Sequence, residues 1–102
     1  MSRLKIKVTF SKTGDMRYIS HLDLMRLFDR ASRRAGLPVE LTRGFNPHPK
    51  ISVKRALRLG LEGRGEEAVF CMNEPVEPEA FIGSMNRNLP EGIRVSAAEE
   101  ER

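Results

Sequence analysis

Hydrophobic and polar positions alternate from the start of the chain. Leu4, Ile6, Val8 and Phe10 fall on one side and Arg3, Lys5, Lys7 and Thr9 on the other. A period of two over this length predicts a half-buried strand whose outer side is basic. Residues 11–14 break the pattern, with Thr13-Gly14-Asp15 as a turn signal. The period then changes. Ser20 reads as an N-cap with Asp23 favouring the positive helix end. Leu24, Phe28, Ala31 and Ala35 recur on one helical face, and Gly36 and Pro38 end the helix. Burying Leu24 and Phe28 contributes roughly 1.5–3 kcal/mol each.

Beyond Pro38, Val39 and Leu41 alternate with Glu40 and Thr42, which predicts a short second strand. Gly44-Phe45-Asn46-Pro47-His48-Pro49-Lys50 is a loop stiffened by two prolines. Extended structure resumes at Ile51-Ser52-Val53, and Leu57 and Leu59 alternate with Arg58. Gly63-Arg64-Gly65 reads as a turn, and residues 68–72 as a buried central strand. Pro78 opens a second helix with Phe81, Ile82, Met85 and Leu89 as its stripe. Ile93, Val95 and Ala97 alternate as a last strand. The order predicts an α+β fold, a ferredoxin-like βαββαβ sandwich with an antiparallel sheet and two helices on one face. Residues 1–98 are expected to form this single domain and residues 99–102 a frayed or linker end, possible in a fragment of a longer protein. Met25, Met72 and Met85 fall on apolar stripes and are expected in the core.

At 102 residues, 39% hydrophobic and 31% charged, the composition is that of one soluble globular domain. No apolar run is long enough to span a bilayer, and the charged start has no apolar block of a secretory signal behind it. A single cysteine, Cys71, fits a reducing compartment, so the expected location is cytoplasmic. The net charge of +4 conceals an asymmetry. Residues 1–60 hold 14 of the 18 Lys+Arg and four acids, a net of +10, whereas residues 61–102 hold four arginines and ten acids, a net of −6. A basic half of this kind either meets a polyanion or attracts the acidic half within the fold. Helical spacing puts Arg26, Arg30, Arg33 and Arg34 opposite the apolar stripe, with only Asp23 and Asp29 at their edges. With Lys5, Lys7, Phe45, Lys50, Lys54 and Arg55, these four make up the candidate RNA-binding set, Phe45 either stacking on a base or anchoring its loop to the core.

Catalytic candidates are few. His21 and His48 could form an acid–base pair for phosphodiester cleavage if folding joined them. Otherwise His21 only begins a helix and His48 sits in an exposed loop. Two histidines, Asp23 and one cysteine have no metal-ligand spacing, so no metal and no cofactor is expected. With one cysteine the chain holds no iron–sulfur ligand set. Gly60-Leu61-Glu62-Gly63-Arg64-Gly65 has the wrong spacing for a phosphate-binding loop and no helix after it.

Two blocks, Ser20-His21-Leu22-Asp23 and Gly44-Phe45-Asn46-Pro47-His48-Pro49, follow Phe10-Ser11-Lys12-Thr13-Gly14-Asp15 in that order. Together with Arg33-Arg34-Ala35-Gly36-Leu37-Pro38 they resemble the radical SAM-linked family, a bacterial domain of unknown function found beside or fused to radical SAM proteins. The resemblance runs from about Leu4 to Ala98. It implies a radical SAM protein as partner and no particular reaction. This chain departs from the family at Lys54-Arg55-Ala56-Leu57-Arg58, where a small, apolar stretch is usual. The leading expectation is an accessory module that binds RNA, such as tRNA, for that partner. The alternative is a protein-interaction module docking on it, and the third reading is a metal-independent ribonuclease.

Overall fold

A computed structural model of the chain describes residues 4–54 and 60–101. Strand β1 (Leu4–Lys12) leads through a 3-10 turn (Gly14–Tyr18) to helix α1 (His21–Arg34). Strands β2 (Ile51–Val53) and β3 (Gly63–Met72), helix α2 (Pro78–Asn88) and strand β4 (Ile93–Glu101) follow. The four strands form one sheet in the order β2-β3-β1-β4, and each neighbouring pair is antiparallel.

One face of this sheet is the core. Ile6, Val8 and Phe10 of β1 lie beside Ala68, Phe70 and Met72 of β3 and Ile93 and Val95 of β4. Leu24, Phe28 and Ala31 of α1 and Phe81 and Met85 of α2 bury into the same cluster, so both helices cover that face. Phe10, Phe28, Phe70 and Phe81 run through it edge to face, with successive centroids 5.1, 5.7 and 5.1 Å apart. Each such contact adds about 0.5–1.5 kcal/mol beyond the area it buries. α1 begins as its sequence predicts, with the Asp23 N–H donating to Ser20 Oγ at 3.1 Å. It ends where Gly36 takes a φ of +68°, a left-handed turn that glycine makes without strain.

Several elements differ from the expectation, each for a reason outside the local pattern. Residues 39–42 make only the isolated bridges Val39 to Met72 and Leu41 to Pro49, leaving Ile51–Val53 as the second strand. Gly63-Arg64-Gly65 is the start of β3 and not a turn. The register slips by one residue there, and Gly65, at φ +98°, is the extra residue of a bulge. A second slip, at Ser96, puts Ala98 against the core and turns Ala97 outward. The last strand also continues to Glu101, so residues 99–101 are paired with β1 and not frayed. Met72 and Met85 are core, but Met25 is only half-buried. Leu57 and Leu59, Arg3 and Arg102 lie outside the described residues.

Two details tie the end of β1 to its surroundings. Lys12 is fully buried on the core side of β1, and its Nζ donates to the Ile19 carbonyl at 2.9 Å, just before the α1 cap. The Thr13 N–H donates to the Gly92 carbonyl at 2.8 Å. A Cβ on Gly92 would come within 2.7 Å of Thr13 O and Met16 Cγ, so the chain passes there only as glycine.

Candidate functional site

The outer face of α1 carries the arginines because its inner face is committed to the core. Arg26 lies 3.5 Å from Asp23, and Arg33 Nε donates to Asp29 Oδ1 at 2.5 Å. Exposed pairs of this kind on one helix contribute little to stability. Neither Arg30 nor Arg34, both exposed, has a carboxylate partner among the described residues. Arg30 stands one turn beyond Arg26 on the same side of the helix and Arg34 one turn further, a row with a spacing of about 6 Å along the axis.

The segment leading into β2 folds back on itself. The Lys50 N–H donates to the Glu40 carbonyl at 2.7 Å, and Lys50 Nζ to Glu40 Oε2 at 2.9 Å. Thr42 N–H donates to the His48 carbonyl at 2.8 Å, and His48 N–H returns to Thr42 Oγ1 at 3.2 Å. Glu40 N–H to Cys71 O and Cys71 N–H to Lys50 O fasten this neck to β3 at 2.8 and 3.0 Å. Residues 43–47 are left as a tip. Gly44 takes φ +126°, and Phe45 is fully exposed, so it does not anchor the loop to the core. Arg43 is exposed beside it and has no ion-pair partner among the described residues.

The loop and α1 enclose a cleft of about 280 Å³, lined by Leu22, Met25, Arg26, Asp29, His48, Pro49 and Ile51. His48, Pro49 and Ile51 also wall a second depression of about 260 Å³ with Thr42, Lys50, Ser52 and Cys71. The two sequence blocks singled out by their motifs thus meet at one cleft. No local pattern announces it, because its walls are some twenty residues apart in the chain.

The opposite face of the sheet is different in charge from what β1 alone suggests. Strand register sets Lys7 opposite Val69 and Glu99, and Lys5 opposite Cys71 and Glu101. Lys7 Nζ is 3.6 Å from both Glu67 and Glu99, and Lys54 Nζ is 3.0 Å from Glu67. The charge of Glu67, then that of Glu99, holds Lys7 above the usual lysine pKa. A hydrogen bond from Lys54, with the charges of Lys54 and Lys7, holds the Glu67 carboxyl below its usual range. Around Lys7 and Lys54 the charges are balanced, whereas exposed Arg94, opposite Ser11 on the same face, has no carboxylate partner among the described residues.

A scan against protein families matches residues 5–102 to one described as an uncharacterized protein conserved in bacteria, DUF2344. The chain belongs to this family. A search of the curated proteins finds no match. In this DUF2344 member the candidate residues separate into three places. Arg26, Arg30, Arg33 and Arg34 line the outside of α1, Phe45 and Lys50 belong to the folded-back loop, and Lys5, Lys7 and Lys54 belong to the open sheet face. Arg55 lies outside the described residues. His21 is exposed at the first turn of α1. No hydrogen bond joins it to His48, whose Nδ1 faces Asn46 O at 3.1 Å and Thr42 Oγ1 at 3.3 Å within its own loop. Among the described residues no cluster of three His, Cys, Asp or Glu could hold a metal, and no helix is long and apolar enough to cross a membrane.

Proposed function

We propose that this DUF2344 chain is an accessory module that binds single-stranded RNA across the outer face of α1 and the adjoining 43–48 loop. The observation that carries the reading is the exposure of Arg30 and Arg34 with no carboxylate partner among the described residues. Unpaired arginines neutralise phosphates and release their counterions without first breaking an internal salt bridge. Arg26 and Arg33, in weak surface pairs, are available at small cost. Phe45 at the loop tip supplies a ring on which a base can stack. The motif blocks support a radical SAM protein as the partner for which the RNA is held. The strand order and the antiparallel pairing support reading the fold as ferredoxin-like, and the lone cysteine suits a cytoplasmic setting.

Binding of the nuclease-treated chain to bulk cellular RNA across a salt series tests this. The logarithm of the affinity should fall with log salt by about 0.7 for each phosphate neutralised. Reversing the pair in Arg30→Glu/Arg34→Glu should flatten that slope and leave the domain folded. An unchanged affinity in the double variant defeats the proposal.

A second reading has its own observation. Phe45, Leu22 and Leu41 are exposed together with the apolar cleft, and such groups also serve to dock a protein. Co-purification with a protein partner that survives nuclease treatment and is lost in Phe45→Ala favours docking over RNA binding.

A further inference from the structure

The cleft beside α1 is more than a charged surface requires. Counterion release asks only for exposed cations, and Arg30 and Arg34 supply those without any cavity. The cleft adds Leu22 and Met25 from α1, with Pro49 and Ile51 from the chain entering β2, so both sides contribute apolar surface. Arg26, Asp29 and His48 complete its lining.

The polar groups are not used up by the fold. Asp29 Oδ1 accepts from Arg33, while Oδ2 has no partner among the described residues. His48 Nδ1 lies 3.1 Å from the Asn46 carbonyl oxygen, which can only accept, so in the tautomer that donates to it the proton is on Nδ1 and Nε2 is an acceptor. Nε2 itself has no partner among the described residues. The cleft therefore joins an apolar slot to two spare acceptors and one arginine.

We infer that this cleft takes one unstacked base of a single-stranded RNA and prefers a base carrying an exocyclic amino group to uracil. The inference rests on the RNA-binding reading above. Single-stranded RNA is read through splayed bases whose faces meet apolar or aromatic groups and whose edges are hydrogen-bonded. Cytosine, adenine and guanine each present an amino group with two N–H donors for Asp29 Oδ2 and His48 Nε2, whereas uracil offers the single N3–H, flanked by carbonyl oxygens that face the carboxylate unfavourably. An aliphatic peptide side chain would fill the slot and leave both acceptors unused. A phosphate inside it would meet the Asp29 carboxylate. With the base in the cleft, the row from Arg26 to Arg30 and Arg34 lies where the flanking phosphates can follow the helix.

The test compares labelled cytidine and uridine octamers of equal length and charge, titrated with the full chain at one salt concentration. The cytidine octamer should bind at least about five-fold tighter. Asp29→Asn should narrow that gap, and Leu22→Ser, at an exposed position, should weaken cytidine binding with little change in melting temperature. Arg30→Glu/Arg34→Glu should weaken both octamers alike. If wild type binds the two octamers equally and the arginine variant loses both, RNA binding stands and the base cleft is overturned. If neither octamer binds wild type, both readings fall. A cytidine preference that survives intact in Asp29→Asn and Leu22→Ser also overturns the cleft.

Discussion

The outer face of α1 and the part of the open sheet face around Lys7 are both basic when read along the chain, yet they are left in opposite states by folding. On the sheet, β1 runs between two acidic neighbours, and Lys7 sits within 3.6 Å of Glu67 and of Glu99. On α1 the carboxylate partners among the described residues stand three or four residues away. Two acids serve four arginines, and Arg30 and Arg34 go without among the described residues. A strand borrows countercharge from distant sequence, while an exposed helix face keeps the charge it was written with. The charge that survives folding is thus the better guide to a partner than the charge of a segment.

The contrast depends on α1 staying docked, so the largest effect should come from the core. Phe28→Ala removes the ring between Phe10 and Phe70 and should destabilise the domain by about 3–5 kcal/mol, read from urea unfolding. Both surfaces should degrade together in that variant.

Next in size, Arg30→Glu/Arg34→Glu should lower RNA affinity by tenfold or more at low salt, about 1.4 kcal/mol or above. Lys5→Gln, opposite Glu101 on the sheet face, should change it far less. Equal losses from the two would erase the distinction between the faces.

Phe45→Ala should cost about 1 kcal/mol or somewhat more of RNA affinity by loss of stacking. Because the ring is fully exposed, the melting temperature should stay unchanged.

The smallest effect belongs to the sheet face itself. Glu67 is held below its ordinary value of 4.5, so its contribution is complete above that pH and is lost as pH falls through the lower folded value. Lys7 is held above its ordinary 10.5, so its contribution is complete below that pH and disappears as pH rises through the higher folded value. Wild type should therefore exceed Glu67→Gln slightly in stability near neutral pH. The difference should shrink in strong acid, at high pH and in high salt. Chemical unfolding of the two proteins at pH 3 and pH 7 checks this.

Local periodicity was a good guide to β1, both helices and the stripe that each buries. Leu24 and Phe28 are core because helical spacing puts them on one face, and the same spacing puts the arginines on the other. It was a poor guide wherever pairing decides. The Val39 and Leu41 alternation belongs to a folded-back segment whose hydrogen bonds go to Lys50, His48 and Cys71, none of them near in pattern. Gly65 looks like a turn and is a bulge, because only the partner strand defines an extra residue. Lys12 looks like a loop residue and is buried, because Ile19 returns to meet it.

The α+β content, the amphipathic helices and the asymmetry of charge are legible along the chain, since propensity, capping and side-chain spacing act within a few residues. Long-range packing sets which charges are cancelled, where β4 stops and that Leu22 and Met25 share a cleft with Pro49 and Ile51. Those outcomes turn on strand register and on the closure of long loops, which join residues whose separation along the chain no local pattern encodes.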